Sequence, residues 1–146
     1  MKAETLPDGT VVTHCNQAAH AVARAYGCLA FLDLKTNAPY CADDIHRIMA
    51  TSKDFALKQM EECQALVNQG VLIFASLTSD RLGESHGHIC SLTPGNEESS
   101  GTWQSDHVPA GMNIGGITTS FRNKGVNWAF PVAKGRPDFF AWVQSL

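Results

Sequence analysis

The chain has 146 residues, 44% hydrophobic and 17% charged, a globular composition of one domain's length that excludes wholesale disorder. Lys and Arg number 11 against 14 Asp and Glu, and the net charge of -3 argues against a nucleic-acid binder that works through a basic surface. No run approaches the roughly 20 apolar residues that span a bilayer, and Met1 to Thr5 lacks the apolar core of a signal peptide. The expectation is one domain over 1–146, made in the cytoplasm without a cleaved leader, with no internal repeat or linker.

The first twelve residues are polar and carry a Pro7-Asp8-Gly9 turn. Residues 13–26 read as a helix, with Thr13 as N-cap and Cys15 in the first turn. Ala18, Ala19, Val22 and Tyr26 share the Cys15 face, while Gln17 and Arg24 oppose it, and Gly27 ends the helix. Asp43 or Asp44 can cap a short second helix running to Ala50. A third helix is expected over 54–69, with Ala56, Met60, Cys63 and Val67 as its apolar stripe. Val71 to Ala75 is a continuous apolar run and predicts a central strand buried on both faces. Residues 87–92 predict an antiparallel partner, and 102–108 a third strand. Residues 111–125 carry four glycines and read as irregular, 126–130 as a fourth strand, and 138–145 as a C-terminal helix. Helices first and an antiparallel sheet after them give an α+β fold class.

Five cysteines, Cys15, Cys28, Cys41, Cys63 and Cys90, form no Cys-x-x-Cys pair, which removes zinc-ribbon and thioredoxin-like chemistry. Cys15 stands apart because a helix N-terminus favours a thiolate, and its own N–H could serve an oxyanion hole. Cys63 and Cys90 fit core packing, and Cys28 with Cys41 is the pair to test for a disulfide. His88 follows Gly87 at the start of a strand beside the most buried segment, a rigid position suited to a general base. A third residue would orient its ring. Asp106, His107 and Asn113 are the candidates, with Asp106 favoured because a carboxylate also stabilises the charged imidazole.

A metal site is the competing chemistry, since His86 and His88 would share one face of a strand with Cys90. Only one closely spaced ligand pair is present, so no metal or cofactor is expected. His14, His20 and His46 read as helix-surface residues, and Trp103, Trp128 and Trp142 as core or groove-lining.

Thr13-His14-Cys15-Asn16-Gln17 before an alanine-rich helix, then Gly87-His88-Ile89 after Gly70 to Ala75, then a polar residue one strand on, resembles the NlpC/P60 and CHAP group of papain-like cysteine peptidases and amidases. Gly70 to Leu92 is also similar to the small peptidoglycan amidase effectors of bacterial type VI secretion. In this chain Thr-His-Cys-Asn-Gln-Ala-Ala stands where that group carries Asp-Cys-Ser-Gly-Phe-Val. The resemblance implies a papain-like fold with Cys15 as nucleophile, His88 as base and Asp106 as the orienting residue. It implies amide hydrolysis through an acyl-enzyme, with a stem peptide of peptidoglycan as substrate. It also implies action in the periplasm or cell wall after secretion or lysis, and, for an effector, an immunity protein as partner.

Overall fold

A computed structural model of the protein describes residues 4–5, 7, 11–12, 14–115, 120–131 and 135–146. Strands β1 (Glu4–Thr5) and β2 (Val11–Val12) form a two-residue antiparallel ladder. Helix α1 (Cys15–Ala25) begins at the nucleophile candidate, and the expected cap, Thr13, lies outside the described residues. Its buried stripe is Cys15, Ala19 and Ala23, so the helix can lie close to what it covers. Tyr26, expected on that stripe, lies just past the helix end and is 44% exposed. Gly27 turns the chain there with φ at 84°.

A small hairpin, β3 (Leu32–Asp33) and β4 (Ala38–Pro39), leads to α2 (Ala42–Thr51). Asp43 and Asp44 lie in the first turn of α2, complementing its dipole, rather than at the cap, which is Cys41. The single helix expected over 54–69 is instead a strand, β5 (Phe55–Lys58), and a shorter helix, α3 (Met60–Asn68). The Gln59 N–H donates to Glu62 Oε1 at 3.3 Å and restarts the helix there. Met60, Cys63 and Val67 form the stripe as expected, while Ala56 belongs to the strand.

Strand β6 (Ile73–Leu77) is buried at every position. A one-turn helix, α4 (Ser79–Leu82), joins it to β7 (His88–Leu92), and the two strands pair antiparallel with Leu77 opposite His88. Strands β8 (Glu98–Ser100) and β9 (Ser105–Val108) make a separate hairpin, so the strand expected over 102–108 exists but does not join β7. Its place is taken by β10 (Ala110–Asn113), from the stretch read as irregular, followed by β11 (Phe121–Gly125). Glycine there serves packing: a Cβ on Gly111 would meet Val126 Cγ1 at 2.4 Å.

Val126–Trp128 is a 3-10 turn, not a strand; the Val126 N–H bonds the Pro109 carbonyl, and the Ala129 N–H closes the turn on Val126. The expected C-terminal helix is a strand, β12 (Asp138–Trp142), with a 3-10 turn at Val143–Ser145. Aromatic residues buried on both faces suit a strand better than an amphipathic helix.

The main sheet is antiparallel throughout, ordered β11-β10-β7-β6-β12-β5. Alternation along β6 and β12 divides the core. Phe74, Ile89 and Phe140 pack with Cys15, Ala19 and Ala23 of α1 and with Ile45 and Met49 of α2. Ile73, Ala75, Leu77, Cys90, Leu92, Phe139 and Ala141 pack on the other side with α3, Trp103, Val126 and Phe130. The fold is α+β, and no described helix is long and apolar enough to cross a membrane. Because β7 and β10 are antiparallel, β7 begins at the end of the sheet where β10 finishes.

Candidate active site

Three elements converge at that end of the sheet. Helix α1 packs along β7, and a Cβ on Gly115 would stand 3.3 Å from the His14 backbone nitrogen and 3.8 Å from that of Cys15. Gly115 has φ at 70°, so glycine suits this position both by conformation and by the closeness of the helix. The segment leaving β10 thus lies flush against the start of α1. Cys15 is the first residue of that helix and is 1% exposed.

His88 is 3% exposed and Asn113 0%. Gly111 pairs with Leu92 and Met112 with Ser91; carried one step further, the register sets Asn113 opposite Cys90 and diagonal to His88 on the same face. His88 Nε2 and Asn113 Oδ1 are 2.6 Å apart. The amide orientation is set by its other end, since Asn113 Nδ2 donates to the Gly115 carbonyl at 3.2 Å. Oδ1 therefore accepts, and Nε2 must carry the proton. Nδ1 is then the lone-pair nitrogen, and it is buried with no hydrogen-bond partner among the described residues. Burial holds the His88 pKa below its ordinary value, and the Asn113 bond offsets only part of that. The ring is neutral near pH 7. The Phe130 ring, with its centroid 5.3 Å from that of His88, walls one side.

The connection before His88 is equally constrained. Asp43 of α2 accepts the Ser79 N–H at 2.8 Å and the Ser79 hydroxyl, tying α2 to α4. A Cβ on Gly87 would meet Asp43 Oδ1 at 2.2 Å and the Leu77 carbonyl at 3.0 Å, so only glycine fits next to the histidine.

Asp106, favoured from the sequence as the orienting residue, is exposed on β9 and is not brought to His88. The physical reason is the hairpin: β9 pairs with β8, and β10 takes the neighbouring position. His107 is exposed too and pairs with Glu97 at 2.8 Å, which raises its pKa. Asn113, the remaining candidate, is the one of the three that meets His88.

The metal alternative loses its geometry, because β7 starts at His88 and leaves His86 exposed in the preceding turn. Among the described residues no group of three or more His, Cys, Asp or Glu side chains could hold a metal ion.

A second polar cluster escaped sequence reasoning. His46, read as a surface residue, places Nδ1 3.0 Å from the Ser76 hydroxyl and Nε2 3.6 Å from Asp138. Its ring meets Phe140 edge-on, and burial depresses its pKa. The order Ser, His, Asp imitates a hydrolytic triad, but Ser76 is 0% exposed in the middle of β6 and its hydroxyl meets no substrate. No periodicity signals such a cluster, since its members come from three elements.

Cys28 and Cys41 are thiols rather than a disulfide, as are Cys63 and Cys90. Burial pushes Cys63 up to about 12 and raises Cys90 further, which suits both to packing and not to nucleophilic attack. Trp128, expected in the core or a groove, is 54% exposed beneath the Lys124 ammonium. Compared with known proteins, the chain matches no protein-family model and no curated protein sequence.

Proposed function

We propose that the protein is a cysteine hydrolase cleaving amide bonds in bacterial peptidoglycan stem peptides. The observation that carries this reading is His88. A buried, neutral imidazole presents an unpartnered Nδ1 lone pair at the end of the sheet where α1 begins with Cys15, while Asn113 holds its other nitrogen. A base held in a single tautomer, at the end of the sheet where a helix starts on a cysteine, suits thiol activation, which requires the two groups to meet. Cys15 gives its proton to Nδ1, and the thiolate adds to the scissile carbonyl. The backbone N–H of Cys15 and the positive end of α1 stabilise the oxyanion. His88 then protonates the departing amine, and water, deprotonated by the same nitrogen, hydrolyses the thioester. Asn113 positions the ring throughout.

The cell-wall substrate rests on the likeness of the Cys15 and Gly87-His88 segments to NlpC/P60, CHAP and type VI amidase sequences. An immunity protein covering the same end of the sheet would fit an effector role. The test is digestion of purified muropeptides, where Cys15→Ala and His88→Ala should each abolish cleavage. Full activity in Cys15→Ala overturns the assignment. Lysis on periplasmic but not cytoplasmic expression would support the cell wall as target, and equal toxicity in both compartments would oppose it.

A further inference from the structure

We propose that a cavity beside Arg136 binds a carboxylate. The cavity, of about 180 Å³, is lined by Thr102, Trp103, Gln104, Gly135 and Arg136. Among the described residues of that lining, Arg136, an exposed side chain, is the charged one. Its guanidinium lies over the Trp103 ring, 5.9 Å from the centroid. The carboxylate nearest to it in sequence, Asp138, is engaged by Arg81 Nη1 at 2.7 Å. Arg81 Nη2 also donates to the Arg136 carbonyl at 2.8 Å, so one arginine both fixes the backbone of the other and removes its counter-ion. Among the described residues no carboxylate pairs with Arg136.

Two further features mark the same cavity. Trp103, which lines it, is 2% exposed, and its indole N–H is closed off from solvent with no hydrogen-bond partner among the described residues. Gln104 holds φ at 50°, a left-handed conformation unfavourable for a side chain of its kind. The neighbouring cavity, of about 280 Å³, also reaches Arg136 and adds Lys58, but Glu61 and Asp138 in its lining offset both cations. An anion therefore lodges on the Trp103 side. A planar carboxylate matches the two-pronged donor face of a guanidinium.

The cavity lies toward the same end of the sheet as His88. Asp138 pairs with Ser76, and Ser76 pairs with Ile89 on its other side, so the Asp138 and Ile89 backbones are about 10 Å apart at one strand spacing per step. Trp103 and Phe130 also share one core cluster, and Phe130 touches the His88 ring. Resting on the hydrolase reading, the cavity holds a free carboxylate of the peptide whose amide is cut.

The test is titration of the 15N-labelled protein with N-acetyl-D-alanine and with N-acetyl-D-alaninamide, following the three tryptophan indole N–H signals, with Trp103→Phe identifying that of Trp103. The carboxylate should move the Trp103 signal saturably, the amide should not, and Arg136→Gln should weaken binding at least tenfold. Equal shifts from both compounds, no shift from either, or unaltered binding by Arg136→Gln overturns the assignment. A second arm compares cleavage of carboxylate-ended and amidated muropeptides. Arg136→Gln should erase a preference for the former, and the absence of any preference in the unmodified protein overturns the substrate role. If the carboxylate binds yet no muropeptide is cleaved, the hydrolase reading falls while the cavity keeps its ligand.

Discussion

Asn113→Ala tests the site independently of any substrate. It deletes the acceptor 2.6 Å from His88 Nε2 and leaves a donor stranded in a ring whose other nitrogen already lacks a partner. A buried polar group left unpaired costs about 1–3 kcal/mol. For a chain of this length that corresponds to a fall in Tm of roughly 3–10 °C. The same loss frees the imidazole to exchange tautomers and to tilt. If the whole of it is felt in the transition state, kcat/KM falls about 5- to 150-fold. The direct assay is the 15N shift of the two ring nitrogens of His88. Above its pKa, the unaltered protein should show a protonated Nε2 and a bare Nδ1, and Asn113→Ala should mix the two forms. A proton found on Nδ1 of the unaltered protein would refute the orientation argument, because the hydrogen-bond chain from Gly115 through Asn113 permits only the other tautomer.

Gly87→Ala should cost about 1–3 kcal/mol, read as a lowered Tm, because its Cβ would collide with Asp43 Oδ1 and press on the Leu77 carbonyl. An unchanged Tm would show that Asp43 yields without loss. Acid should weaken the fold through its buried imidazoles. His88 and His46 both have folded pKa values below the ordinary value of about 6.5, so between those values and 6.5 the unfolded chain binds more protons. Stability is therefore complete above that range and declines as pH falls through it. The urea midpoint should drop from pH 7 to pH 5, with a shallower slope in His46→Gln; a slope unchanged by that substitution would exclude His46 as a contributor. His107 acts in the opposite sense, its raised pKa adding stability that fades as pH rises.

How much of this was legible in the sequence depends on how local each signal is. Helix α1, the buried run around β6 and the Gly87-His88 strand start were readable because apolar spacing and glycine punctuation act within a few residues. The C-terminal segment misled. Asp138–Trp142 follows a proline and has no alternation, because a strand in mid-sheet is buried on both faces and carries no period. Phe55–Lys58 was absorbed into a helix for a related reason, since its partner, β12, was itself misassigned. Of the candidate site, the helix start at Cys15 and the strand start at His88 were legible, and the contact of His88 with Asn113 was not. Choosing Asp106 over Asn113 assumed that the next strand in sequence is the next strand in space, and the β8–β9 hairpin breaks that assumption.

The insertion of β12 between β6 and β5 bears on the order in which the molecule can be assembled. Phe55 pairs with Trp142, and Ile73 with Ala141, so β5 has no seat in the sheet until β12, more than 80 residues later, has left the ribosome. Until then β6 presents an unsatisfied edge and Phe74 lacks the cover of Phe140. Such distant pairing slows folding and prolongs exposure of apolar surface. Emerging chains should accordingly depend on holding factors late in synthesis, and a block placed after Gly135 should leave β5 accessible to protease although α1, α2 and β7 have already been made.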